Sequence, residues 1–358
     1  MNIFYKSILP FLSALSIFAV AIEPAVAQVS LVYANGYARS HAQMGVVGDE
    51  WIKRIELETQ GRVKIRQVFG GALLKAENMI EGIRGRTADS GAAVVSFFPG
   101  QLPISATLAG SVNMEIGNKL DMKGVTAITM KLIEEFPEFN AEYQKLGLKV
   151  MFWVATPPYA IITTTPVTKL TDFGSKKIRT FGSVLPQLVN SVGAVPLSVA
   201  FGEIYTSLQT GVLDGALTDP PAMISGRFDE VAKNAVLTGP NQGALTMIAP
   251  VAYLVNLESW NRIPIQDRVI IEKINNDMIL FGSDLMVKEA NNAINTLQNK
   301  GVKITRLTLA EASTWGKQSP DFIKQAAETI NKSGGPGDKL TGRYRELAND
   351  YVSGKWKP

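Results

Sequence analysis

The sequence predicts an α/β protein of two lobes, and three observations point that way. Short apolar runs of strand-like composition alternate with segments whose apolar residues recur at helical spacing. With 358 residues and 46% hydrophobic side chains, the chain can fill two cores of ordinary size. Residues 266–299 read as helical almost throughout, which is long enough to bridge both lobes.

The first segment stands outside this fold. Lys6 precedes the apolar run ILPFLSALSIFAVAI, and Ala25-Val26-Ala27 puts small residues before Gln28, the pattern of a cleaved secretory signal over residues 1–27. As a membrane anchor the run is interrupted by Pro10, Ser13 and Ser16, and it is shorter than the roughly 20 apolar residues a spanning helix needs. The expectation is a periplasmic protein without direct membrane insertion. It has no cysteine, which excludes disulfides, thiolate chemistry, thiolate metal sites and lipid attachment at the signal junction. The formal net charge of +4 survives loss of Lys6 and Glu23 together, and no basic run is dense enough for nucleic acid.

After the signal, VSLVYANG reads as a strand ending at Asn35-Gly36, and Met44, Val47, Trp51 and Ile55 follow at helical spacing. TQGR breaks that helix, Val63 to Phe69 form the next strand, and Gly70-Gly71 opens a helix carrying Leu74, Met79, Ile80 and Ile83. GLKVMFWVA and KKIRTF are strand-like, Pro186 begins a helix with Leu188, Val189 and Val192 on its face, and AVPLSV is again a strand. Phe201, Ile204, Tyr205 and Leu208 mark a helix ending at Gly211, before the strand VLDGALT. The stretches IRGRTADSGAAVV and LQTGVLDGALT share an order of helix end, glycine, aspartate and strand. Two lobes built alike would explain this, as would ordinary turn residues between helix and strand. Within 266–299, Gly282 marks a possible bend, and the tail after 333 reads as a loop and a short polar surface helix.

Catalytic machinery is hard to assemble from this chain. His41 is the sole histidine, no GxSxG elbow occurs, and Gly70-Gly71 and Gly182-Ser183 lack the spacing of a phosphate-binding loop. Glu134, Glu135 and Glu138 suit a solvated helix face better than a metal site. No metal or cofactor is therefore expected. Isolated polar groups among apolar and aromatic residues fit a ligand-binding cleft.

The segment KKIRTFGSVLPQLVNSVGAVPLSVAFGEIYTSLQTGVLDGALT, with Lys177 to Arg179, Gly193 to Pro196 and Glu203 to Gly215 as its matching pieces, resembles the solute-binding proteins of TRAP (tripartite ATP-independent periplasmic) transporters, the DctP-like family. ETQGRVKI, GGALLKAENMIEGIRGR, FFPGQLP and VNLESWNRIP extend the resemblance in order over essentially the whole mature chain. It implies a type II-like periplasmic binding protein whose lobes close on a small organic acid and deliver it to a TRAP membrane permease. The implied division is 28–156 plus about 245–284 for the first lobe and 157–244 plus about 285–358 for the second, in a monomer. A periplasmic enzyme around His41, Asp219 and Tyr159, and a ligand-presenting subunit of a sensor, are the alternatives.

In the family the arginine of the K-I-R strand grips the ligand carboxylate, which makes Arg179 the implied anchor; a guanidinium forms a bidentate charge-assisted pair there. Many members carry a second arginine twenty positions earlier, where this chain has Tyr159, and an asparagine where it has Thr218, followed by Asp219. With one arginine missing, a second ligand carboxylate would be buried and poorly paired, so a monocarboxylate, aromatic or a 2-oxo or hydroxy acid, is expected. Phe97, Phe98, Trp153 and Phe181 lie in segments the family places near the cleft, with the core as their alternative place. Asn35, Tyr37, His41 and Ser96 come from loops the first lobe would present to the ligand's far end. Asp219 reads either as a ligand contact or, before Pro220-Pro221, as a turn residue.

Overall fold

The computed structural model describes residues 28–114, 119–238 and 246–357; the expected signal segment, 1–27, lies outside the described residues. Its strands are β1 (Val29–Ala34), β2 (Val63–Val68), β3 (Ser90–Val94), β4 (Leu148–Val154), β5 (Ala160–Thr163), β6 (Lys177–Thr180), β7 (Val195–Ser198), β8 (Gly215–Thr218), β9 (Asn234–Leu237), β10 (Val251–Asn256) and β11 (Lys303–Arg306). The helices are α1 (Val47–Glu58), α2 (Met79–Arg84), α3 (Pro103–Gly110), α4 (Met122–Glu135), α5 (Glu138–Lys145), α6 (Leu185–Asn190) and α7 (Ile204–Gln209). Then come α8 (Pro220–Ser225), α9 (Leu257–Asn261), α10 (Ile265–Asn299), α11 (Leu309–Gln318), α12 (Phe322–Lys332) and α13 (Gly337–Val352).

Two mixed sheets carry the fold, ordered β2-β1-β3-β10-β4 and β11-β9-β5-β8-β6-β7. In the first, β10 runs against both neighbours; in the second, β5 does. These are the strands that enter directly from the other sheet, β5 after β4 and β10 after β9, so each crossover arrives from the opposite end. Strand periodicity then sorts the second sheet's side chains: Ile161, Leu217 and Val236 enter one core, while Ala160, Ile162, Ala216, Ala235 and Leu237 enter the other.

The long helix is α10, 35 residues and hence about 50 Å. Ile271, Ile274, Met278 and Met286 pack in the first core, and Ile294 and Leu297 in a core of the second sheet. Gly282 is not a bend in an interrupted helix. A Cβ there would meet Val154 at 3.4 Å, so the glycine sits where α10 presses on β4.

The resemblance between the two turn sequences has a structural basis. Asp89, before β3, accepts a hydrogen bond from Val32 N on β1 and donates its own N–H to Val32 O. Asp214, before β8, does the same with Lys177 of β6. In both sheets the aspartate ties the strand it precedes to its parallel neighbour.

The end of the chain departs from the expected division at about 285. Trp315 of α11 is buried in a second-sheet core, its Nε1 donating to Leu188 O at 2.9 Å. Beyond it α12 and α13 return to the first core, where Ile323, Ile330, Leu340, Tyr344 and Leu347 are buried. Arg343 closes this contact with a two-pronged pair to Glu135 at 2.8 and 2.9 Å. The tail's polar face hid a sufficient apolar stripe, so it is half core rather than a surface cap.

Candidate functional site

A cavity of about 40 Å³ lies between the two sheets. It collects the loops that follow the C-terminal ends of parallel strands β1, β3, β6 and β8, where the backbone leaves a crevice free of ladder bonds. Tyr37, His41, Gln43, Met44, Val94 and Phe97 reach it from the first sheet's side, together with Val251. Arg179, Phe181, Phe201, Thr218, Asp219 and Ala222 reach it from the second, and Thr156 and Tyr159 from the crossover between β4 and β5.

Arg179 is 3% exposed on the inner strand β6. Its Nε donates to Val199 O at 3.0 Å and its Nη1 to Leu217 O at 3.3 Å, while the guanidinium lies over the Phe181 ring, 4.7 Å from its centre. These carbonyls orient the group and carry no charge. Burial pulls its pKa down to about 10, which leaves it protonated at neutral pH. Among the described residues its hydrogen-bond partners are carbonyls alone, so its charge is not balanced by a carboxylate bonded to it.

Asp219 caps α8, its Oδ1 accepting from Ala222 N at 2.9 Å, and Pro220 and Pro221 occupy first-turn positions that need no N–H. The same carboxyl lines the cavity, so it is both turn residue and wall. Burial pushes its pKa up to about 6. His41 is buried with Nδ1 unpartnered, and burial pulls its pKa down to about 4, so the ring is neutral. Among the described residues lining the cavity, Arg179 is the only full positive charge.

Aromatic rings close the space from both sides. Tyr37 meets Phe201 at 5.3 Å and His41 at 4.7 Å between ring centres, Phe97 meets Phe181 edge-on at 5.6 Å, and Tyr159 meets Phe181 at 5.8 Å. Such edge and tilted contacts join the first sheet's loops to the second's.

Four expected residues are placed elsewhere, and of these Phe98 is buried in the first core. Trp153 is buried in the first core with its ring edge-on to Tyr143 of α5 at 6.0 Å, because its position on β4 faces the helix layer. Asn35 spends its amide on loop shape: Nδ2 donates to Met44 O at 2.8 Å and Oδ1 accepts from Tyr37 N at 2.9 Å. That holds Tyr37 in place without a cavity wall of its own. Ser96 is buried outside the lining, its Oγ unpartnered. Sequence reading overlooked Gln43, Val94, Thr156, Ala222 and Val251, and read Met44 and Phe201 only as helix-face residues. Gln43 and Met44 belong to a π-helical turn, Ala42–Val46, whose wider pitch shifts residues off the 3.6 spacing. Thr156 had a signal in the motif TPPY, three residues before Tyr159.

The profile of the bacterial extracellular solute-binding proteins of family 7, DctP, matches residues 33–329. The C4-dicarboxylate-binding periplasmic protein DctP of Rhodobacter capsulatus is 28% identical over 223 residues, which are 62% of this chain and 58% of that protein, so the match spans less than two thirds of that relative. A TRAP periplasmic solute binding protein from Desulfovibrio salexigens superposes with a TM-score of 0.75 at 22% identity, covering 92% of this chain and 98% of that one. DctP7, a Bordetella pertussis extracytoplasmic solute receptor binding pyroglutamic acid, superposes with a TM-score of 0.75 at 18% identity over 88% and 99% of the two chains. At these identities the structural matches establish a common two-lobed fold.

Proposed function

The chain belongs to the DctP family, family 7 of the bacterial extracellular solute-binding proteins, and from that premise we propose that its cavity captures a small monocarboxylate and that the protein passes it to the membrane subunits of a TRAP transporter. The family consists of transport receptors, which sets aside the enzyme reading of His41, Asp219 and Tyr159. The carrying observation is Arg179: buried, charged, and held by two carbonyls, with no carboxylate among its hydrogen-bond partners in the described residues.

Charge balance favours one ligand carboxylate over two. Tyr159 occupies the position of a second arginine, His41 is neutral, and Asp219 is itself acidic, so a second carboxylate would be desolvated beside an acid. Asp219 instead suits a ligand N–H or O–H. The Bordetella receptor's pyroglutamic acid, a monocarboxylate with a ring N–H, is of this kind. The aromatic walls of Tyr37, Phe97, Phe181 and Phe201 suit an apolar or flat body.

Loops from both sheets bound the cavity, so closure of the two lobes on a ligand takes its carboxylate out of water, and contacts made only in the closed form favour that form. This reading places the mature protein in the periplasm, after removal of the segment 1–27. No helix among the described residues is long and apolar enough to cross a membrane.

A thermal-shift panel tests the assignment. Pyroglutamate, lactate, 2-oxobutanoate and phenylacetate are compared with succinate and malate. At a hundredfold excess over Kd, binding adds about 2.7 kcal/mol of apparent stability. At least one monocarboxylate should raise Tm and the dicarboxylates should not; a shift confined to succinate or malate would overturn the single-carboxylate reading.

A further inference from the structure

We propose that the cavity takes a zwitterion, a small molecule with one carboxylate for Arg179 and one protonated nitrogen for Asp219. The inference rests on the carboxylate-binding reading of the cavity and narrows its ligand class.

Two groups of opposite charge line the same cavity without satisfying each other. Arg179 is 3% exposed and Asp219 6%. On the parallel strands β6 and β8, Arg179 stands opposite Ala216, and Asp219 comes three residues later in extended backbone, about 10 Å along the strand direction. Among the described residues no ion pair joins them. Each also keeps bonding capacity in reserve. Of the guanidinium N–H groups, one on Nε and one on Nη1 are used, and Nη2 makes no hydrogen bond among the described residues. Asp219 accepts from Ala222 N on Oδ1, while its Oδ2 accepts no hydrogen bond among them.

Charge balance then separates the ligand classes. An acid with a neutral far end would shut Arg179, Asp219 and its own carboxylate away from water with one negative charge uncompensated. A zwitterion gives every charge a partner. His41, the other wall residue that could turn positive, is neutral, because burial pulls its pKa down to about 4. The rings of Tyr37, Tyr159 and Phe201 add faces that attract a cation.

The nitrogen needs Asp219 ionised, and burial raises that carboxyl's pKa to about 6, so near pH 5 the ligand must displace a proton. Tyr37 and Tyr159 stay protonated, since burial raises both, and Arg179, at about 10, stays charged. The elements packed on α8 are α10 and the turn Phe228–Glu230. Their Lys288, Glu289, Asp229 and Glu230 do not line the cavity, and the last two are paired with Lys300 at 3.0 Å and Arg227 at 2.8 Å.

Calorimetry on matched pairs tests the inference: proline against cyclopentanecarboxylate and 4-aminobutanoate against pentanoate, with pyroglutamate as a neutral N–H. At pH 7.5 at least one zwitterion should bind roughly tenfold or more tighter than its carbon partner and than pyroglutamate. Asp219→Asn, which keeps the α8 cap, should remove that preference. In the wild type, pH 5 should weaken the zwitterion about tenfold with release of about one proton, and should not weaken its carbon partner. This second readout needs no variant to fold. Carbon partners or pyroglutamate bound as tightly as the zwitterions, no zwitterion bound at all, or a preference unchanged by Asp219→Asn or by pH 5 would overturn the proposal. If the carbon partners bind and need Arg179, the carboxylate reading stands without it; if Arg179→Ala leaves every affinity unchanged, that reading fails as well.

Discussion

Arg179→Ala is expected to weaken monocarboxylate binding by more than a hundredfold while leaving the protein folded. Removing one partner of a largely buried ion pair costs about 3 to 5 kcal/mol, and about 1.4 kcal/mol is tenfold in Kd. The ligand-free protein should not suffer in proportion. Burial lowers the pKa of Arg179 to about 10, so folding disfavours its charged form at every pH where it is charged in the unfolded chain. Its hydrogen-bond partners among the described residues are the carbonyls of Val199 and Leu217, which lose only one hydrogen bond each. Arg179→Met, which retains more of the volume, should therefore melt no lower than wild type and bind as poorly as the alanine variant. Arg179→Lys should fall between, since an ammonium keeps the charge and loses the planar fork. Calorimetric titration with the best acid of the panel measures this, and an affinity near wild type in a folded Arg179→Ala protein would rule out the clamp.

Asp219→Asn should stabilise the ligand-free protein at pH 7.5 by about 2 to 3 kcal/mol and leave it unchanged near pH 4. The carboxyl pKa rises from its usual 3.8 to about 6 on burial. An acid whose folded pKa is raised contributes its stability below the unfolded value, and that contribution is lost as pH rises through the folded one. Between about pH 4 and 6 the wild type should thus lose stability that the amide variant keeps. The helix cap itself is preserved, because an asparagine side-chain oxygen can accept from Ala222 N as the carboxylate does. Melts of both proteins from pH 4 to pH 8 decide it. A wild type more stable than the variant at pH 7.5 would show that the ionised carboxylate has a favourable partner in the folded state. Retention of a carboxylate that costs stability supports a role for it toward the ligand.

Much of the fold was legible from the chain. Each predicted strand between residues 28 and 218 appears within a few residues, because alternation of apolar side chains is a local property. The paired aspartates, Asp89 and Asp214, were visible as a repeated order of residue types, and only the ladder bonds to Val32 and Lys177 turned that order into equivalence. The long helix was readable in its full extent, while the reason for Gly282 was not: it depends on Val154, more than a hundred residues away in sequence. The last two helices were assigned to the wrong core for the same reason, since an amphipathic stripe says that a face is buried and not against what.

The candidate site divides along the same line. Arg179, Tyr159, Phe181, Thr218, Asp219, Tyr37, His41 and Phe97 do converge on one cavity, and the motif around Arg179 singled out its buried guanidinium. Phe98, Trp153, Asn35 and Ser96 do not reach it, and Gln43, Thr156 and Phe201 do. By itself the sequence determined the α/β alternation, the absence of thiol chemistry and the one arginine among apolar strand residues, each a matter of composition or near-neighbour spacing. The tertiary structure alone decided which aromatics are walls and which are core, and which amide proton reaches Thr156. A buried face looks the same in sequence whether it meets a helix or a ligand, and the difference arises only when the crossovers bring loops from both sheets to the same place.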